Sequence, residues 1–99
     1  MNQLKHDLRK FTADRNWESF HSPKNLAMAL SVEVAELVEI FQWKTGDEGL
    51  STKEYLNLRD EIGDIQIYLT MIADKFNLSP LEMAKMKMKK NIEKYPVIC

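Results

Sequence analysis

Residues 24–44 read KNLAMALSVEVAELVEIFQWK, and between Lys24 and Lys44 the only charges are Glu33, Glu36 and Glu39. Apolar residues recur here at steps of three and four, the period of a helix, and there are too many for one narrow face. At about 100° per residue, Glu33 falls between Ala29, Leu37 and Ile40, inside the apolar stripe. No Lys or Arg stands three or four residues from Glu33 or Glu36, so an intrahelical ion pair cannot neutralise them. A carboxylate turned into the apolar face of a helix must be balanced from outside that helix.

Working outward, Ser22-Pro23 is a helix start, with Ser as cap and Pro in the first turn, and predicts a helix to about Trp43. Upstream, Leu4, Leu8, Phe11 and Arg15 follow helical spacing over about Asn2 to Arg15, and an aromatic linker, Asn16 to His21, joins the two. Downstream, the turn cluster Thr45-Gly46-Asp47-Glu48-Gly49 precedes Ser51 and Glu54, the spacing of a capping box, opening a third helix to Phe76. Ser79, Pro80 and Glu82 repeat the signal and open a fourth helix to about Lys94. No β-branched alternation of strand length occurs. The expectation is an all-α, four-helix, single domain over residues 1–99.

Composition narrows the function classes. Fourteen basic against fifteen acidic residues give a net charge of −1, which supplies no field for holding a polyanion, so nucleic acid is not an expected partner. No apolar run reaches the roughly 18 residues of a membrane span, and the N-terminus lacks an apolar core of signal-peptide length. One cysteine, Cys99, and two histidines, His6 and His21, are too few for a disulfide or a Cys/His zinc site. A soluble, unprocessed cytoplasmic protein is expected. Charge is segregated along the chain, with a net −6 between Glu33 and Asp64 and a net +4 between Lys75 and Tyr95.

The third helix repeats the anomaly of the second. Glu61 and Asp64 are again three apart, and Glu61 lies in the stripe of Leu58, Ile65, Leu69 and Ile72. Antiparallel packing of the two helices makes four carboxylates converge, at a cost of several kcal/mol unless they are neutralised. A hard divalent cation meets that need, and an all-oxygen set suits Mg²⁺, with Mn²⁺ as a substitute, better than Zn²⁺.

The array Glu33-x-x-Glu36, followed after 24 residues by Glu61-x-x-Asp64, resembles the metal motif of the MazG-like, all-α nucleoside triphosphate pyrophosphohydrolases. Trp17-Glu18-x-Phe20-His21-x-Pro23-x-Asn25-Leu26 and Glu33-Val34-x-Glu36-Leu37-x-Glu39-x-Phe41-Gln42-Trp43-Lys44 are most similar to the dCTP pyrophosphatase branch, as are Lys87-x-x-x-Asn91 and Tyr95-Pro96. Where the wider family often has two adjacent glutamates, this chain has Val32 before Glu33.

The resemblance implies Mg²⁺-dependent cleavage of a nucleoside triphosphate between its α and β phosphates. Deoxynucleotides of cytidine are the first expected substrate, and clearing the nucleotide pool the task. It implies Glu33, Glu36, Glu61 and Asp64 as metal ligands, with any of them or Glu39 as the base. A lysine-rich last helix reads by itself as a solvated face, but the resemblance implies substrate contacts for Lys87, Asn91 and Tyr95. Trp17 and Trp43 are the expected base-packing residues, the alternative being core or interface anchors. His21 reads as either a structural hydrogen-bonding group or a ligand contact, and Tyr68 closes the site near the sugar. Gly63 is expected to let helices approach closely. Helix two has more apolar circumference than one short domain covers, so a homo-oligomer is expected, and the resemblance implies a dimer or a dimer of dimers. Two other readings stand beside this one: a non-enzymatic helical interaction module, and a related pyrophosphohydrolase acting on a phosphoribosyl nucleotide.

Overall fold

In a computed structural model of the chain, which describes residues 2–46 and 48–97, the described residues form helices and turns without strands. Asp47 of the turn cluster and Cys99 lie outside the described residues. The helices are α1 (Asn2–Asp14), α2 (Pro23–Phe41), α3 (Thr52–Lys75) and α4 (Pro80–Lys94), with one 3₁₀ turn, Glu18–Phe20, within the aromatic linker. α2 ends two residues before the expected Trp43, because Gln42 and Trp43 already belong to the turn into the loop.

The helix starts follow the sequence signals. The Ser22 hydroxyl accepts from the Asn25 backbone N–H at 3.1 Å, with Pro23 opening α2. At α3 the capping box is complete: Ser51 Oγ accepts from Glu54 N at 3.1 Å, and Glu54 Oε1 accepts from Ser51 N at 2.8 Å. At α4 only half of the expected box forms. Ser79 caps Glu82 N at 3.3 Å, but the Glu82 carboxylate turns to Lys85, 3.6 Å away, since an opposite charge one turn on competes with the backbone donor.

Two helix ends share one device. Asn16 and Asn77 adopt φ of 55° and 56°, in the left-handed region. After α1, Trp17 N donates to Thr12 O at 3.0 Å and Asn16 N to Ala13 O at 3.1 Å; after α3, Leu78 N donates to Ala73 O at 2.9 Å and Asn77 N to Asp74 O at 3.2 Å. Both are Schellman closures with Asn as the left-handed residue, a role that its short polar side chain tolerates. Such closures often bring the residue after the left-handed one against the last helical turn. Here Trp17 meets Phe11 edge-on at 5.5 Å.

α2 and α3 form an antiparallel hairpin, the most extensive contact of the chain: Glu33 lies beside Glu61 and Asp64, while Ile40 shares a cleft with Glu54 and Asn57. Lys44 closes the hairpin on Glu54, Nζ to Oε2 2.9 Å. α1 is held to α3 by Arg9, whose Nε donates to Asp74 Oδ2 at 2.7 Å. α4 makes only slight contact with α3.

The apolar faces are not closed within one chain. Among the described residues only Leu26, 1% exposed, and Ala73 are buried apolar side chains. The radius of gyration is 16.7 Å, against roughly 13 Å for a compact domain of 100 residues. Leu69, expected in the buried stripe of α3, is 38% exposed. Gly63 abuts nothing, since a Cβ there would have no neighbour within 4 Å. The expected close approach at Gly63 is therefore absent within the chain.

Candidate metal centre and adjoining cleft

The hairpin turns Glu33, Glu61 and Asp64 towards one point. Each is half-buried, and one carboxylate oxygen from each lies within 4.8 Å of the others. Glu33 Oε2 and Glu61 Oε2 are buried without a hydrogen-bond partner. The Glu61 carboxyl is pushed up to about 8, chiefly by the adjoining Glu33 carboxylate, next by burial, and then by Glu36. Three carboxyl oxygens this close, two of the groups carrying an orphaned atom, have the composition of a hard-cation site. The donor set fits Mg²⁺ or Mn²⁺.

Glu36 stands one turn further along α2, exposed and outside the trio, yet near enough to act on Glu61. With Glu39, Ile40, Glu54, Asn57 and Glu61 it lines an open cleft of about 490 Å³. Glu54 is already committed there, its carboxylate held down to about 2 chiefly by the Ser51 backbone N–H and by Lys44. Glu36, Glu39 and Glu61 are the acids of this cleft without an ion-pair partner among the described residues.

On the other side of Asp64, α1 and α3 enclose a second cleft of about 300 Å³. Leu8, Phe11, Ile67 and Met71 give it apolar walls, and Trp17, His21, Tyr68 and Asp7 complete its lining. Trp17 is placed by the Schellman closure and by ring contacts with Phe11 and with His21, the latter at 6.3 Å. Asn25 ties the 3₁₀ turn to α2, its Nδ2 donating to Phe20 O at 3.0 Å. His21 Nδ1 is buried without a partner. An aromatic-lined pocket of this size suits a planar ring.

The structure thus brings Glu33, Glu61 and Asp64 into one cluster, sets Glu36 and Glu39 beside it, and joins Trp17, His21 and Tyr68 to it through Asp64. It does not join the remainder within one chain. Trp43 is 88% exposed at the turn of the hairpin, and Lys87 and Asn91 on α4 and Tyr95 just after it line neither cleft. Sequence reasoning missed Asp7, Leu8 and Phe11 as cleft residues. Their helical spacing marks α1 as amphipathic, but only its docking on α3 makes that face the wall of a pocket.

The fold and its carboxylate hairpin have relatives. The model of the MazG-like family matches residues 28–99, and the chain belongs to that family. It is 44% identical over 92 residues to dCTP pyrophosphatase 1 of Homo sapiens, an alignment covering 88% of this chain and 54% of that protein. With dCTP pyrophosphatase 1 of Mus musculus the identity is 40% over 92 residues, covering 89% and 54%. The chain therefore spans about half the length of these relatives, 54% in each case. A crystal structure of a pyrophosphatase from Archaeoglobus fulgidus superposes with a TM-score of 0.83 at 41% identity, covering 98% of this chain and 93% of that one.

Proposed function

We propose that this protein is a nucleoside triphosphate pyrophosphohydrolase that converts a deoxynucleoside triphosphate to the monophosphate and pyrophosphate, with dCTP its first substrate. The observation that carries this reading is the contact between two unlike sites at Asp64: a carboxylate trio suited to a hard cation, and an aromatic cleft suited to a base. The similarity to proteins named dCTP pyrophosphatase 1 supports it.

Glu33, Glu61 and Asp64 would hold Mg²⁺, with Glu36 as the fourth carboxylate. When bound, the ion supplies positive charge that neutralises phosphate oxygens and makes nearby water more acidic. The chain's own residues do the rest. Trp17 and Tyr68 hold the base and sugar beside Asp64 and so fix the triphosphate over the carboxylates. Water forms a new P–O bond as one P–O bond of the α–β bridge breaks, pyrophosphate leaves with the bridging oxygen or the monophosphate retains it, and a carboxylate takes the water's proton. Among the described residues Glu39 has no ion pair to hold it, and with Glu36 engaged at the trio it is the carboxylate of the cleft left to serve as that base.

A second copy of the chain completes the assembly in this reading. The exposed apolar faces of α2, the extended shape and the exposed Trp43 all want covering. Lys87, Asn91 and Tyr95 would then act on substrate across the interface, Lys87 supplying a cation that a purely acidic site lacks and Asn91 and Tyr95 neutral hydrogen-bond donors. The cytoplasm is the expected compartment. Among the described residues no helix is long and apolar enough to cross a membrane.

The test is a panel of common ribo- and deoxynucleoside triphosphates with Mg²⁺, scored by chromatography for monophosphate and pyrophosphate. Equimolar monophosphate and pyrophosphate, fastest from dCTP and abolished by EDTA, are expected. Release of orthophosphate and diphosphate, or no turnover of any nucleotide, would overturn the reading.

A further inference from the structure

The cleft beside Asp64 carries one other acid, Asp7 of α1. The Gln3 side-chain amide donates to Asp7 Oδ1 at 2.9 Å across one helical turn, which orients the carboxylate and leaves Oδ2 as an acceptor. Asp74 is paired with Arg9 and Glu54 with Lys44, but no ion pair engages Asp7 among the described residues. Asp7 is thus an oriented, unneutralised acceptor in a cleft whose walls are mostly apolar.

We propose that Asp7 reads the exocyclic amino group of the bound base, selecting amino-bearing bases such as cytosine over bases with a carbonyl oxygen in that place, such as uracil. The inference rests on the nucleotide reading above and adds the residue that sets base preference. An ionised carboxylate only accepts hydrogen bonds. An amino N–H satisfies it; a carbonyl oxygen sets lone pairs against lone pairs and leaves two acceptors unpaired, which a partly desolvated cleft penalises. Carboxylates accept from the cytosine amino group in nucleic-acid readout for the same reason. His21, with its buried unpartnered Nδ1, is the other polar group of the lining available to a ring edge.

Asp7→Asn is the decisive variant, because an amide keeps an oxygen for Gln3 and turns the free atom into a donor. Wild type and variant are compared in two assays: binding of the non-hydrolysable α,β-imido analogues of dCTP and dUTP by calorimetry, and kcat/KM on dCTP and dUTP. Asp7 is exposed on α1, so circular dichroism should confirm an unaltered fold. The expected result is a dC-over-dU preference in wild type that falls about tenfold or more in Asp7→Asn, in Kd as well as in KM. An unchanged ratio, or an equal loss for both bases, overturns the role of Asp7 and leaves the pyrophosphohydrolase standing. Base-dependent binding without turnover in wild type overturns the reaction but not the role of Asp7. Absence of binding to either analogue overturns both.

Discussion

Lys44 reaches across the α2–α3 turn to Glu54, Nζ 2.9 Å from Oε2, and so ties the end of one helix of the hairpin to the start of the next. Lys44 lies eleven residues beyond Glu33, about three helical turns, so its pairing belongs to the hairpin's end, and no ion pair engages Glu33, Glu61 or Asp64 among the described residues. The Glu54 carboxylate also caps α3 through the Ser51 N–H. One carboxylate therefore joins the end of α2 to the start of α3.

The pH dependence of that clamp has a definite sign. Glu54 is lowered from 4.5 to about 2 on folding, chiefly by the Ser51 N–H and by Lys44, so between those values the unfolded state binds more protons than the folded state. Its stabilisation is full above pH 4.5 and is lost as pH falls towards 2. Melting curves of wild type and Glu54→Gln should therefore differ most above pH 4.5 and converge towards pH 2. A gap that stays constant with pH would mean that the charge of Glu54 contributes nothing.

Replacing the ionisable group of Glu61 should help the metal-free protein above the pH, about 8, at which it would ionise. Glu61→Gln relieves the crowding with Glu33 and Glu36 that drives its carboxyl up to about 8, so in EDTA its melting temperature should equal or exceed that of wild type. With Mg²⁺ the order should reverse. Wild type gains about 2.7 kcal/mol at a hundredfold excess over Kd, and the variant gains much less. Equal Mg²⁺-dependent shifts in the two proteins, read by thermal denaturation, would remove Glu61 from the ligand set.

Asn16 should sustain both stability and the aromatic cleft, because its left-handed backbone aims Trp17 at Phe11. Asn16→Ala should cost roughly 1–2 kcal/mol in urea denaturation, and Asn16→Gly should cost less, since glycine takes that conformation freely. If the closure also positions Trp17 for substrate, Asn16→Ala should raise KM for dCTP and Asn16→Gly should restore it. An alanine variant as stable as wild type would show that the turn does not depend on Asn16.

The two tryptophans should separate. Trp17→Ala removes a wall of the cleft within the chain and should weaken nucleotide binding by about 1–3 kcal/mol, seen in KM. Trp43, 88% exposed, lines neither cleft, so Trp43→Ala should affect activity only to the extent that it alters assembly or a site shared between copies. Sedimentation beside steady-state kinetics distinguishes these. A Trp43→Ala protein with unchanged sedimentation and unchanged KM would place Trp43 outside the site altogether.

Lys87→Ala should lower kcat more than it raises KM, because a cation near the reacting phosphates counts most as charge redistributes during cleavage. Single-turnover rates at saturating dCTP measure this directly. A pure KM effect would make Lys87 a ground-state contact.

What the sequence determined by itself was local. Helix starts are written in short range, because a Ser hydroxyl and a backbone N–H three residues on meet by helix geometry alone, and Ser22, Ser51 and Ser79 all cap as their spacing requires. The inward direction of Glu33 and Glu61 is equally a matter of 100° per residue, which is why the carboxylates could be singled out before any packing was known. Tertiary structure decided everything that depends on which faces meet. The antiparallel register of α2 and α3 separates Glu36 from the trio, Lys44 goes to Glu54, and the docking of α1 through Arg9 and Asp74 turns Asp7, Leu8 and Phe11 into one wall of a cleft. Helical period states which residues share a face, but the partner of that face is chosen by burial over the whole chain. On α2 and α4 that burial remains incomplete among the described residues, so helical period alone leaves Trp43, Lys87, Asn91 and Tyr95 outside both clefts.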